Sequence, residues 1–344
     1  MSDVEPHGSP AGPALPLGVT CASLGVLGSA AVPSLARRAA ALGYRSFWAA
    51  EANGTEAFSV LGAAGASARL DLGTGVIPVQ LRTPPLAAMG AATLQGLVPD
   101  RDVLLGVGAS SPAVVQQWHG ADLGDRPVAR MREYVALVRE CLSGETVTFD
   151  GDFWSVPRVR LAQRRARTPR LVVAALGPRM LRLAGEVADG VLLNYLPAGH
   201  VGWSVRHVRA GEQEAGRPAG SCTIYAYVHV GVCDREYAAE RARRDLFSYA
   251  VVDAYADSFR TAGFGAEIDE IRARHAARDR AGAVAAVSDA MIDAIDICGD
   301  AATVATAIGQ YRDAGVDHPV LMPLPWGVDR RAVVDATLDA GRNT

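Results

Sequence analysis

From Leu17 onward, short β-type runs alternate with longer helical patterns, and this alternation limits the available folds more than any other feature of the chain. Strands joined by helix-length crossovers run parallel, so the pattern predicts an α/β protein with a parallel sheet. The expected strands are Leu17 to Cys21, Arg45 to Ala50, Leu70 to Ile77, Asp102 to Val107, Arg170 to Ala175, Gly190 to Asn194, Thr223 to Val232 and Pro319 to Met322. Helices are expected between them. Pro33 to Leu42 has proline in its first turn and Gly43 just past its end, as helix caps demand. Pro85 to Gly96, Arg130 to Leu142, Pro178 to Ala188, Ala301 to Ala314 and Arg330 to Ala340 repeat the pattern. Eight strands with intervening helices predict a (β/α)8 TIM barrel over an open sheet, although a strand count leaves closure open.

Two stretches break the alternation. Thr146 to Val156 reads as a small hairpin turning at Asp150-Gly151. Arg235 to Ile297 is helical, rich in Ala, Arg and Asp, and without a barrel-strand signal, so it is expected as an insertion after the seventh strand. Insertions at that end of a barrel commonly shape the site. A lid or specificity region and a plain extension of the outer ring are both consistent with it. The first fourteen residues, acidic and rich in Pro and Gly, are expected as a disordered tail, and residues 15–344 as a single barrel domain.

Composition removes whole classes of chemistry. All 34 basic residues are Arg, so Schiff-base catalysis and the P-loop lysine are excluded. A net charge of -3 argues against a nucleic-acid partner. Five scattered cysteines, with no pair at CxxC spacing, read as reduced thiols in the cytoplasm. The N-terminus lacks the apolar core of a signal peptide, and no apolar run approaches the roughly 20 residues of a spanning helix, so no membrane is expected.

Several segments carry candidate chemistry. In GTGVIP, Gly73 and Gly75 bracket a strand end followed by Val76, Ile77 and Pro78, which suits either a backbone bulge open to close approach or an ordinary Gly-rich strand end. Gly108, Ala109 and Ser110 lie between the fourth strand and a helix opening at Pro112, where exposed N–H groups suit a polar ligand edge. A plain βα turn explains them equally. Ala175-Leu176-Gly177-Pro178-Arg179 runs into a helix N-terminus, which offers unpaired donors and roughly half a positive charge. Without lysine, Arg179 is the available cation for a phosphate there, unless it is simply a solvated surface residue. Asn194 and Tyr195 end the next strand. Glu51 closes the second strand in FWAAEANGTE, which places it at the rim of a barrel. His119 reads best as a structural histidine beside Trp118, while His229 in the seventh strand suits either core packing or catalysis. Gln80 and Arg82 follow the glycine-rich strand end and are placed to reach the site, although Arg82 suits a helix cap or a subunit contact equally well. No His, Cys or carboxylate set has metal spacing, and Ser110-Ser111 lacks a nucleophile elbow, so neither a metal enzyme nor a serine hydrolase is expected.

Five segments in order carry a wider likeness: LGTGVIPVQLRTP at Leu72 to Pro84, VLLGVGASSPAVVQQWHG at Val103 to Gly120, VVAALGPRMLRLAGEVADGVLLN at Val172 to Asn194, VSDAMIDAI at Val287 to Ile295, and GDAATVATAIGQYRDAGVDHPVLMPL at Gly299 to Leu324. With them the chain resembles the bacterial-luciferase-like superfamily, and within it the oxidoreductases that use the deazaflavin coenzyme F420. The likeness spans Leu17 to Ala340. It implies a luciferase-like barrel with a non-prolyl cis peptide at Gly75-Val76, whose bulge backs the central ring of coenzyme F420, an 8-hydroxy-5-deazaflavin. It places the cofactor's side chain and phosphate-bearing tail near Ala175 to Arg179, with Asn194 alongside, and gives Glu51 a place against the deazaflavin.

Two departures from the family bear on activity. Relatives often carry a catalytic histidine after the acidic residue, where this chain has Ala52. The glutamate that sugar-phosphate dehydrogenases of the superfamily carry after the fourth-strand glycines is replaced within Ala109-Ser110. Both argue against that dehydrogenase activity. The resemblance therefore implies hydride transfer between deazaflavin C5 and a small-molecule or peptide substrate, with reduction of an activated C=C or C=N bond. Glu51, a residue of the insertion, or water is the expected proton source. An FMN-dependent two-component monooxygenase and a non-catalytic cofactor-binding barrel are the rival readings. Relatives commonly dimerise through helices beside the second and third strands, and the Ala/Gly-rich segment Leu61 to Ala68 permits such packing, so a homodimer is expected.

Overall fold

The computed structural model describes residues 16–163 and 167–342. The expected tail, residues 1–14, lies outside the described residues. Among the described residues there are twelve strands: β1 Gly18–Thr20, β2 Ser46–Ala49, β3 Asp71–Thr74, β4 Ile77–Pro78, β5 Val103–Gly108, β6 Val147–Asp150, β7 Ser155–Val159, β8 Arg170–Ala174, β9 Gly190–Leu193, β10 Thr223–Val232, β11 Asp296–Gly299 and β12 His318–Pro323. Eight of them, β1, β2, β3, β5, β8, β9, β10 and β12, pair in parallel around a ring. The ring closes because β12 pairs with β1 through Gly18 and Val320, while β9 pairs with β10. The fold is thus a closed (β/α)8 barrel, with helices on the outside of the strands.

The longer barrel strands read as nearly continuous apolar runs because both of their faces are covered. Trp48, Leu104, Val172, Leu192, Tyr225 and Val320 fill the barrel interior. A second layer packs between strands and helices, with Phe47, Leu72, Leu105 and Val173 pointing outward into it. At roughly 1.5–3 kcal/mol for each large apolar side chain buried, these two layers are the main driving force for the fold.

Three sequence expectations are revised. The segment Leu70 to Ile77 is two strands, not one. β3 pairs with β5 at Leu72 and Gly73, and β4 pairs with it again at Val107 and Gly108. In the gap the Thr74 hydroxyl replaces the ladder, donating to the Gly106 carbonyl at 2.7 Å and accepting from the Gly106 N–H at 2.8 Å. The hairpin of β6 and β7 turns through Gly151 to Trp154, longer than the two-residue turn expected, because the Glu133 carboxylate accepts from the N–H groups of Asp152, Phe153 and Trp154.

The third revision concerns the segment after β10. It holds helices, among them Arg235–Ala250, Asp253–Phe259, Gly265–Ala276 and Asp289–Ile295, around a core of their own that includes Leu246, Phe259, Ile268 and Met291. Its last residues, however, form the extra strand β11. β10 is ten residues long, so its first half pairs with β9 and its second half, His229 to Val232, pairs with β11. A four-residue strand directly behind a helix offers no alternation long enough to detect from sequence.

Candidate active site

The barrel has a cavity at each end. One, of about 680 Å³, is lined by residues that begin strands, among them Asp71, Arg170, Thr223 and His318. The other, of about 1010 Å³, lies over the strands' C-terminal ends, with Gly75, Asn194, Tyr195, Tyr227, Asp245 and Tyr249 in its lining. Catalytic sites of (β/α)8 barrels form at the C-terminal end, and the second cavity is the candidate.

The kink between β3 and β4 forms one side of it. The Gly75-Val76 peptide bond is cis. The backbone groups around it are engaged: Gly75 N donates to the Ala49 carbonyl at 2.7 Å, Glu51 N donates to the Val76 carbonyl at 3.1 Å, and the Tyr227 hydroxyl donates to the Gly75 carbonyl at 2.7 Å. A Cβ on Gly75 would land on that hydroxyl, so only glycine fits. Val76 turns inward onto the barrel plug beside Gly108, where a Cβ would press on the Val76 side chain at 2.7 Å. Ile77 faces the other way and is fully buried between barrel and helices, so its side chain does not reach the cavity.

Glu51 closes β2, but its carboxylate turns away from the cavity. Oε1 accepts from the Ala57 N–H at 3.0 Å and from Arg82 Nη2 at 2.7 Å, and Oε2 accepts from Arg82 Nε at 2.9 Å. Arg82 also pairs with Glu56 and stacks over Phe58. Three donors, two of them on one guanidinium, thus take up this carboxylate. Glu51 thereby anchors the loop after β2, with its carboxylate bonded to Arg82 and absent from the cavity lining. His119 ties down the same loop, bonding to the Ala52 carbonyl. Gln80 plays no visible part, and its side-chain oxygen is buried without a hydrogen bond among the described residues.

The loops after β5 and β8 lie side by side, because Val107 pairs with Val173. A Cβ on Gly108 would be 3.2 Å from that of Ala174. Ala109 is exposed, and Ser110 and Leu176 are partly so. Ala175 is buried. Gly177 is the N-cap of the helix Pro178–Val187 and has no side chain to satisfy the first-turn N–H groups. Gly177, Pro178 and Arg179 are all exposed. This rim lies across the barrel mouth from β1 and β12. Uncapped donors and a neighbouring guanidinium suit a phosphate, and the open cavity beside the kink suits a flat ring system. The candidates thus fall into two groups, with Gly75 and Asn194 at the cavity and the loops after β5 and β8 on the far rim.

A polar cluster lies between barrel and inserted helices. The Tyr195 hydroxyl donates to Asp245 Oδ2 at 2.7 Å. His229 places Nε2 at 2.8 Å from Asn194 Oδ1 and Nδ1 at 3.1 Å from Asp296 Oδ1. Burial pushes the His229 imidazole down to about 4, so it is neutral. Burial above all, with the Asp296 carboxyl close by, pushes the Asp245 carboxyl up to about 7. Asp296, wholly buried, is raised well above the carboxylate range by burial alone. Tyr195 holds φ of 49°, uncommon for a bulky side chain; its N–H donates to Asn194 Oδ1 at 3.0 Å. Its ring packs against Tyr249 at 3.7 Å between centroids and against His229 at 4.1 Å.

Sequence reading placed Asn194, Tyr195 and His229 near the site but missed Tyr227, Asp245, Tyr249 and Asp296. Two signals were available. Tyr225, Tyr227 and His229 alternate along β10, so all three face the same side of the strand. Asp245 and Tyr249 are one helical turn apart.

Residues 23–318 match the family model of the luciferase-like monooxygenases. The chain belongs to that family. It is 29% identical over 269 residues to the 5,10-methylenetetrahydromethanopterin reductase of Methanolobus tindarius, covering 73% of this chain and 76% of the relative. To the F420-dependent glucose-6-phosphate dehydrogenase of Nakamurella multipartita it is 32% identical over 189 residues, 53% of this chain and 56% of the other. Among solved structures, the coenzyme F420-dependent tetrahydromethanopterin reductase of Methanopyrus kandleri superposes with a TM-score of 0.77 at 22% identity, covering 95% of this chain and 97% of that one. Among the described residues, no helix is long and apolar enough to cross a membrane.

Proposed function

We propose that this chain is an oxidoreductase that uses coenzyme F420 to reduce an activated C=C or C=N bond of a small organic substrate. The observation that carries this reading is the large cavity opening directly onto the Gly75-Val76 kink at the catalytic end of the barrel. The names of the relatives above support deazaflavin over FMN. The methylenetetrahydromethanopterin reductases among them are reductases by name, which favours reduction. When bound, the deazaflavin supplies a hydride at C5.

The protein's own contribution is placement and exclusion of water. Tyr227 and the Ala49 carbonyl fix the kink, and Val76 gives the ring an apolar surface to lie on. Gly177 and Arg179 hold the phosphate with N–H groups and a guanidinium. The helices after β10 cover the mouth and contribute Asp245 and Tyr249 to the cavity wall. We also propose a cytoplasmic homodimer. All five cysteines are free thiols. Leu86, Met89 and Leu97 on the helix Pro84–Leu97 are 45%, 52% and 67% exposed, an apolar stripe that a second copy would cover.

The direct test is titration of purified protein with oxidised and reduced coenzyme F420, followed by fluorescence. Saturable binding in the micromolar range is the expected result, and no binding by about 100 µM overturns the proposal. Oxygen uptake with reduced FMN would instead make the chain a monooxygenase. Tight deazaflavin binding without turnover on any alkene or imine would make it a non-catalytic binding protein.

A further inference from the structure

The Glu51 carboxylate is taken up by Arg82 and the Ala57 N–H, and the structure holds another carboxyl, on the cavity wall, placed to give the proton that accompanies hydride transfer. Asp245 lies on the helix Arg235–Ala250 and lines the cavity. Its Oδ2 accepts from Tyr195, while Oδ1 makes no hydrogen bond with the described residues. Because the Tyr195 proton already occupies Oδ2, a proton carried by Asp245 itself sits on Oδ1.

The hydrogen bonds behind Asp245 define the protonation of its neighbours. Asn194 Oδ1 accepts from the Tyr195 N–H, so it is an acceptor, and His229 Nε2, 2.8 Å away, must be the protonated nitrogen. His229 Nδ1 then has only a lone pair to offer Asp296 Oδ1 at 3.1 Å, which requires Asp296 to carry a proton. Asp296 Oδ2 is buried without a partner among the described residues, as suits a neutral acid and not a carboxylate. One side-chain N or O atom from each of His229, Asp245 and Asp296 lies within 4.8 Å of the others. The groups facing Asp245 are thus neutral: Tyr195 from the end of β9, His229 from β10, Asp296 from β11, and Tyr249 one turn along its own helix. The cation nearest in sequence on the cavity wall, Arg241, lies one turn earlier over the Tyr237 ring, and no ion pair joins it to Asp245 among the described residues.

We propose that Asp245 is the general acid of this site, giving its Oδ1 proton to the substrate as the substrate is reduced, with Tyr195 fixing the orientation of the carboxyl. This role rests on the oxidoreductase reading above. The substrate carbon gains a C–H bond and two electrons from the hydride of the reduced deazaflavin. The π pair of the C=C or C=N bond moves to the neighbouring atom, which takes the Asp245 proton, and the deazaflavin leaves oxidised. Asp245, now a carboxylate, recovers a proton from water in the cavity. Burial, which raises this carboxyl to about 7, keeps much of it loaded at neutral pH.

The experiment compares the full-length wild-type protein with Asp245→Asn and Asp245→Glu. Infrared difference spectra between about pH 5 and about pH 9 are expected to show a protonated-carboxyl band that titrates near neutrality and is absent from Asp245→Asn. With reduced deazaflavin and cyclohexenone as an activated-alkene probe, wild-type turnover should fall as pH rises through the Asp245 titration. Asp245→Asn should lose about 10²-fold in kcat or more, together with that pH dependence, while binding reduced deazaflavin as tightly as wild type. Asp245→Glu should restore part of the rate. Asp245→Asn turning over at the wild-type rate with its pH profile intact overturns the role, as does a carboxyl ionised throughout. An equivalent of divalent metal that copurifies with wild type and is lost in Asp245→Asn also overturns it. Failure of wild type to bind deazaflavin removes the oxidoreductase reading itself, a result separable from the others because it appears before any variant is made.

Discussion

Arg82 grips Glu51 at two points, Nε on one carboxylate oxygen at 2.9 Å and Nη2 on the other at 2.7 Å, and so joins the end of β2 to the segment leaving β4. The two side chains are only 18% and 13% exposed, which leaves this pair partly shielded from solvent. Truncating one partner of such a pair leaves a partly buried charge without compensation. Arg82→Met should lower stability by about 2 kcal/mol, read as a shift in the urea midpoint at constant slope. Removing both charges, in Arg82→Met with Glu51→Gln, should cost less than the sum of the two single changes. Strictly additive losses would show that the two side chains stabilise the fold independently of each other.

Gly75 and Tyr227 occupy the same small space. Gly75→Ala puts a methyl group onto the Tyr227 hydroxyl, so the kink must shift and deazaflavin affinity should fall by about tenfold or more. Tyr227→Phe removes the hydrogen bond to the Gly75 carbonyl and should cost about 1 kcal/mol. In combination the two should be less than additive, because the phenyl ring lacks the oxygen that the new methyl group strikes. Strict additivity in a calorimetric binding cycle would contradict this packing.

His318, at the opposite end of the barrel, gives the fold a pH dependence. Its ring nitrogen lies 2.9 Å from the Ser46 hydroxyl, and burial pushes it down to about 4. An imidazole whose folded value is depressed binds more protons when unfolded, so stability falls as pH drops from about 6.5 towards 4. Between pH 7 and about pH 5 the loss from this residue should be on the order of 2 kcal/mol. Asp245, raised to about 7, acts in the opposite sense, stabilising the fold at low pH and losing that contribution as pH rises through its own titration. His318→Gln should therefore flatten the acid limb of the stability curve, and Asp245→Asn should steepen it. A common acid limb in all three proteins would refute both assignments.

The exposed stripe on the helix Pro84–Leu97 predicts quaternary structure. Met89→Glu combined with Leu97→Glu should convert a dimer to a folded monomer, measured by light scattering with circular dichroism as the check on folding. A monomeric wild type would show that the stripe serves another purpose.

The barrel was legible because its strands are buried on both faces and separated by capped helices, so each announces itself as a short apolar run between turn residues. β11 was not, since Ile297 and Cys298 form too short a run to stand apart from the helix before them. Site residues followed the same division. Gly75 and Gly177 declare themselves through chain geometry that only glycine or a helix start requires. Glu51 was correctly placed at a strand end, but its partner Arg82 lies 31 residues on, and only the folded chain shows that the carboxylate points at it. Asp245 sits in a helix with several other charged residues, and nothing local distinguishes the one that becomes buried.

β11 also determines how the inserted helices are attached. The inserted stretch leaves β10 at Val232 and comes back along β11, whose last residue, Gly299, is the register partner of Val232, with Cys233 N bonded to the Gly299 carbonyl at 3.1 Å. Entry and exit of this segment are therefore already side by side, so it behaves as a cassette plugged into one seam of the wall. A relative that exchanged it would keep the Gly75 kink and the Gly177 rim while acquiring a different residue where Asp245 stands, so that the cavity wall can be refitted by replacing a single continuous stretch of sequence while the barrel stays unchanged.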